Sequence, residues 1–64
     1  MAVSRMKLAR VEKDLSQQQL ADLIGVTRQT IGLIEMGKYN PSLKLCLDIA
    51  HALGKKLDDL FWEE

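Results

Sequence analysis

The apolar residues of this chain recur every three or four positions in short runs, and each run ends at a residue that interrupts helices. Met6, Ala9, Arg10 and Lys13 share one face of a first helix predicted over Ser4 to Lys13. Asp14 closes it, because Asp tolerates a left-handed turn better than most residues with a Cβ. In SQQQL, Ser16 stands as an N-cap with Gln19 three residues on, the spacing of a capping box. Leu20, Leu23 and Ile24 are expected to form the buried face of this second helix, and Gly25 its stop. Thr27 caps a third helix that runs to Gly37, with Ile31 and Ile34 as its inner stripe. KYNP is a loop, because Pro41 disfavours helical geometry at Asn40. A fourth helix runs from Ser42 to Leu53, closed by Gly54. A fifth, LDDLFW, brings Leu57, Leu60 and Phe61 over the core. Strand signals are nearly absent. The expected class is all-α: a compact five-helix bundle forming one domain over residues 1–64.

The connection between the second and third helices carries the most information. Only Gly25, Val26 and Thr27 separate them, so the two helices cross steeply and closely. Ala21, one turn before Gly25, supplies the small residue that such a crossing needs. Val26 is the sole apolar residue of the turn and can plug between the helices. This combination is a helix-turn-helix, spanning residues 17–36.

Composition narrows the possibilities further. An apolar content of 47% supports a packed core. One cysteine, Cys46, forms no intramolecular disulfide, and MAVSRMKLAR has no apolar signal core. No apolar run approaches the roughly 20 residues that cross a bilayer. These features point to a reduced, cytoplasmic protein with no membrane association. The formal charge is zero, which argues against strong nonspecific nucleic-acid binding. It is unevenly spread, however. Residues 1–41 hold six Lys or Arg against four acids, and residues 42–64 hold three against five.

The stretch LSQQQLADLIGVTRQTIGLIEMGKYNPS, continued by LCLDIAHALG and LDDLF, resembles the Cro and phage-repressor type of helix-turn-helix domain. The ordered set Gln17, Ala21, Gly25, Val26, Ile31, Glu35 and Gly37 carries the resemblance, which covers positions 5 to 62. It implies a lambda-repressor-like five-helix domain whose second helix braces on the DNA backbone while the third enters the major groove. The chain departs from the family at several positions. Met36 stands where a polar residue such as Asn is common, and Lys56 replaces the usual Ser or Thr cap of the fifth helix. Gly32 and Leu33 fall where many relatives carry polar base-reading side chains.

Within that frame the third helix divides cleanly. Gln29, Gly32, Leu33 and Met36 face away from the Ile31–Ile34 stripe, with Arg28 and Thr30 on the flanks. Arg28, Gln29, Thr30 and Leu33 are the expected base readers. An Arg fork fits guanine O6 and N7, a Gln amide fits adenine N6 and N7, and a Leu can meet a thymine methyl. Outside this context, Arg28 and Gln29 would read as solvated surface. Gln17, Thr27, Lys38, Tyr39 and Asn40 are the expected backbone contacts, suited to phosphate by charge or hydrogen bonding. Glu35 lies beside the apolar stripe and needs a partner if partly buried. Arg10 on the inner face of the first helix is the candidate, and relatives carry this pair.

No catalytic, cofactor or metal site is expected. His51 and Cys46 are five apart on the fourth helix, a poor spacing for shared ligation, and Cys46 falls on the Ile49–Leu53 core face. Asp58 and Asp59 read as first-turn helix acids. The implied function is a sequence-specific regulator of transcription, a repressor binding a double-stranded operator as a homodimer. Leu47, Phe61 and Trp62 are the dimer candidates. Two alternatives stay open. One is a protein-interaction module using Leu8 and Val11 on the outer side of the first helix. The other is an antitoxin-type DNA-binding partner of a toxin.

Overall fold

The computed structural model describes residues 4–61, which form five helices and no strand. They are α1 (Arg5–Glu12), α2 (Gln17–Ile24), α3 (Arg28–Glu35), α4 (Leu43–Leu53) and α5 (Leu57–Phe61). Short polar side chains start the first four. Ser4, Ser16, Thr27 and Ser42 each accept a hydrogen bond from the backbone N–H three residues ahead. This satisfies one of the donors that a helix start leaves without an intrahelical partner. At α2 the bond is reciprocal, since Gln19 Oε1 accepts from the Ser16 N–H at 2.8 Å. At α5 only the return half exists. Lys56 has no capping oxygen, but Asp59 Oδ2 accepts from the Lys56 N–H at 3.1 Å.

The helix ends share one device. Asp14, Gly25, Gly37 and Gly54 all have positive φ, and the chain reverses at each. Lys38 N–H reaches Leu33 O at 2.9 Å while Gly37 N–H reaches Ile34 O at 3.0 Å, the paired bonds of a Schellman motif. Asp14 takes the left-handed conformation at φ 58 without being glycine, with the corresponding bonds from Leu15 to Arg10 O and from Asp14 to Val11 O. Helix limits differ slightly from expectation. Ser4 is a cap outside α1, Lys13 is its C-terminal cap, and α3 stops at Glu35 with Met36 as its cap. In α1 and α3 the Asp or glycine lies one position beyond the cap, so these two helices are shorter than their punctuation suggests, whereas Gly25 and Gly54 are themselves the caps of α2 and α4.

The core takes residues from every helix. Met6 and Ala9 of α1, Leu20 and Ala21 of α2 and Ile31 and Ile34 of α3 meet Ile49, Ala50 and Leu53 of α4 and Leu60 of α5. Five of these side chains are fully enclosed: Met6, Leu20, Ile31, Ile49 and Leu53. Each contributes about 1.5–3 kcal/mol by leaving water. Helix α2 packs on α3 and α4, and α5 packs on α1 and α4. Leu15, Ile24, Val26, Leu45, Ala52, Leu57 and Phe61 seal the margins.

Two expectations about burial and one about a shared helix face need correction. Leu23 is 63% exposed rather than part of the α2 core face. The face that packs is centred between Leu20 and Ala21, and at 100° per residue Leu23 lies more than a right angle from that centre. Lys13 is exposed as well, because α1 has already ended and its amine stem lies beside Gly54 instead. Cys46 is half-buried at the edge of the core, its thiol 4.0 Å from Pro41 O. Burial nevertheless raises the Cys46 pKa, so the neutral thiol is favoured.

Candidate nucleic-acid interface

The turn between α2 and α3 is built as the sequence requires. Gly25 adopts φ 79, and its N–H and that of Val26 both bond to Ala21 O, at 2.8 and 3.0 Å. Ala21 is fully buried at the crossing, where a larger side chain would drive the helices apart. Val26 packs against the core from the turn. Thr27 then starts α3, its Oγ1 accepting from the Thr30 N–H at 3.2 Å and lying 3.0 Å from the Thr30 hydroxyl. The burial of Ile31 and Ile34 fixes the rotation of α3 about its own axis. Arg28 and Gln29 are left exposed in the first turn, while Thr30, Gly32 and Leu33 are half-buried.

A chain of polar contacts runs behind this surface. Arg10 Nε donates to Glu35 Oε2 at 2.8 Å and Arg10 Nη2 to Glu35 Oε1 at 3.3 Å. Arg10 Nη1 also donates to Leu15 O at 2.7 Å, which ties the α1–α2 link to the same guanidinium. The Arg10 and Glu35 side chains retain 9% and 4% of their accessibility, and Glu35 as a whole is partly buried, as expected beside the apolar stripe. Gln17, in the first turn of α2, continues the chain. Its Nε2 donates to Glu35 Oε1 at 3.0 Å, and its Oε1 accepts from Arg28 Nη1 at 3.2 Å. No buried side-chain nitrogen or oxygen among the described residues lacks a partner, which is the condition for a buried charge to be tolerated.

The expected backbone contacts lie at the starts of α2 and α3 and in the loop after α3. Gln17 is half-buried, with both ends of its amide already engaged within the protein. Thr27 is exposed at the start of α3, and Lys38, Tyr39 and Asn40 are exposed in the loop that follows the helix. The link from Gln17 to Arg28 and Glu35 escaped sequence reasoning. Its only trace there was three polar residues on helices known to cross closely, and side-chain direction could not be read from spacing.

Of the dimer candidates, Leu47 is 39% exposed on the outer side of α4, Phe61 is half-buried against the core, and Trp62 lies outside the described residues. Among the described residues no group of three or more His, Cys, Asp or Glu is placed to hold a metal ion, and no helix is long and apolar enough to cross a membrane.

Known proteins share both the fold and its sequence. The helix-turn-helix family matches residues 6–60. The HTH-type transcriptional regulator YgzD of Bacillus subtilis is 44% identical over 61 residues, which is 95% of this chain and 92% of that protein. The immunity repressor of Bacillus phage phi105 is 38% identical over 60 residues, 94% of this chain and 42% of the repressor. Among solved structures, the restriction-modification controller protein C.AhdI of Aeromonas hydrophila superposes with a TM-score of 0.82 at 40% identity, covering 89% of this chain and 83% of that one. The chain therefore belongs to the Cro and phage-repressor type helix-turn-helix family of DNA-binding transcriptional regulators.

Proposed function

We propose that this protein is a repressor that recognises a double-stranded operator by placing α3 in the major groove. The observation that carries the reading is the division of α3. Its Ile31–Ile34 side is locked into the core, while Arg28 and Gln29 stand exposed together at its N-terminal end. Arg28 and Gln29 have the forked donor and donor–acceptor groups that distinguish guanine and adenine edges. Thr30 and Leu33 complete the reading surface, with Leu33 suited to a thymine methyl. Residues 17–36 act as the DNA-binding unit. Gln17, Thr27, Lys38, Tyr39 and Asn40 flank the base-reading side chains on the phosphate side and set register without reading sequence.

A single helix reads too few base pairs to select one site in a genome, so the repressor acts as a two-fold dimer with its reading helices about 34 Å apart. Leu47, Phe61 and Trp62 supply the contact. Repression follows from occupying the operator and excluding polymerase.

Selection of bound fragments from random double-stranded DNA, followed by a salt titration on the selected site, tests this function. The expected result is a palindromic consensus whose affinity falls steeply with salt, as counterions are released from neutralised phosphates. An unenriched pool, or affinity for a protein partner that is insensitive to salt, would instead favour an interaction module. Leu8 and Val11, 53% and 54% exposed on α1, are the surface such a module would use.

A further inference from the structure

We infer that Glu35 is a positioning residue for the base-reading Arg28, acting through the Gln17 amide, so that the buried ion pair bears on sequence discrimination as well as on stability. The inference rests on the proposed role of Arg28 and adds to it a control that no exposed residue supplies.

The chemistry of the three groups leaves one arrangement. A carboxylate only accepts hydrogen bonds and a guanidinium only donates them, whereas a carboxamide does both, at different ends. Gln17 stands between the Glu35 carboxylate, 3.0 Å from its Nε2, and the Arg28 guanidinium, 3.2 Å from its Oε1. Its NH₂ must therefore face Glu35, and its carbonyl oxygen must face Arg28. Glu35 is itself held by Arg10 through two bonds and is almost wholly buried, so it is the fixed end of the relay. Gly32 leaves the amide its room. A Cβ at that position would lie 3.7 Å from Gln17 Nε2 and 3.9 Å from Gln17 Oε1, in ordinary contact, and any longer side chain would press on the relay. The result is an acceptor beside the exposed Arg28, placed there by a carboxylate buried among three helices. Arg28 keeps its remaining N–H groups for a base while Nη1 is steadied from behind.

Polarity makes the inference testable. In Glu35→Gln, one of the two oxygens becomes an NH₂. With that NH₂ in the Oε1 position, where it also faces Arg10 Nη2, the Gln17 amide must turn over to accept from it, and its own NH₂ then opposes Arg28. Adding Gln17→Glu restores the order, because a carboxylate at position 17 accepts from both neighbours. The measured quantity is the ratio of Kd for the selected operator to Kd for single-base variants of it. The informative base pair is the one whose preference disappears in Arg28→Ala. A ratio cancels any uniform effect of the new charge on phosphate binding. Glu35→Gln should lower discrimination at that pair alone by about 2- to 10-fold, the worth of one hydrogen bond, and the double variant should recover it. Should Glu35→Gln fold poorly, Arg10→Met with Glu35→Leu replaces the pair by apolar groups and should show the same selective loss in a stable protein.

Without DNA, the NMR order parameter of the Arg28 Nε–H should fall in Glu35→Gln and return with Gln17→Glu. Unchanged ratios in folded variants, an equal fall at every base pair, an unmoved order parameter or no recovery with Gln17→Glu would each overturn the inference. Wild-type protein that discriminates no sequence while the order parameter still responds would locate the failure in the reading of Arg28 instead, and the inference would fall with it.

Discussion

Arg10 and Glu35 lie 25 positions apart, yet Arg10 Nε stands 2.8 Å from Glu35 Oε2 with both side chains more than nine-tenths buried. The pair joins α1 to the C-terminal end of α3, and Arg10 also holds Leu15 O in the link to α2. Two charges removed from water are costly, so their attraction and the completed hydrogen bonding mainly cancel that cost. The pair fixes where α3 sits more than it adds net stability.

Breaking one half should therefore cost more than removing both. Arg10→Met leaves the Glu35 carboxylate buried without its cation and should lower unfolding free energy by about 3–5 kcal/mol. Arg10→Met combined with Glu35→Leu should regain most of the loss. Urea denaturation of the three proteins gives the comparison, and a thermally neutral Arg10→Met would contradict the burial of the pair.

Arg28→Ala and Gln29→Ala should each weaken binding to the selected operator by about 1–3 kcal/mol, mainly through one base pair. Folding should barely change, since both side chains are exposed. Titrations on the operator and on scrambled DNA decide the matter. Equal losses on both would mean phosphate contact only.

Gly32 sits within α3 at ordinary helical geometry, and a methyl group there would meet only the Gln17 amide at 3.7 Å. Gly32→Ala should therefore stabilise the fold by about 0.8–1 kcal/mol through helix propensity. For a domain of this size, that amounts to a rise in Tm of roughly 4–8 °C. A fall in Tm would show that the relay around Gln17 has no slack. Loss of operator affinity alongside a raised Tm would show that the DNA backbone approaches this glycine.

Leu47→Glu and Trp62→Ala test assembly. Sedimentation should show weaker self-association for each, and the cooperative part of operator binding should decline while half-site binding holds. Full-length operator binding unchanged in both variants would leave a monomeric reader.

Cys46 should react more slowly with iodoacetamide in the folded protein than once unfolded, because burial raises the thiol pKa and only the thiolate attacks. Equal rates would show that its edge of the core opens freely.

Much of this molecule was legible from local chemistry. Ser16 with Gln19 three residues on, Thr27 ahead of α3, and Gly25 and Gly54 behind their helices act within one or two turns, so their roles follow from neighbours along the chain. The close spacing of α2 and α3, with Ala21 and Val26 at the crossing, defined the helix-turn-helix for the same reason. Arg10 and Glu35 were readable as partners because two charged residues on inner faces have few other ways to be satisfied.

Tertiary packing decided the rest. Leu23 belongs to the apolar run of α2, yet it faces solvent because α3 and α4 approach on the side centred between Leu20 and Ala21. Cys46 shares a stripe with Ile49 and Leu53 but sits one turn earlier, where it is only half-buried and its thiol meets the Pro41 carbonyl. Gln17 differs in kind. Its residue type and position suited it to a phosphate, and nothing in its local sequence indicated Glu35, 18 positions away, or Arg28, 11 positions away. Helix spacing tells which face a residue occupies. Only the packed arrangement of three helices determines which polar atoms come within hydrogen-bonding distance of one another, and in this protein that arrangement ties the buried charge to the exposed Arg28.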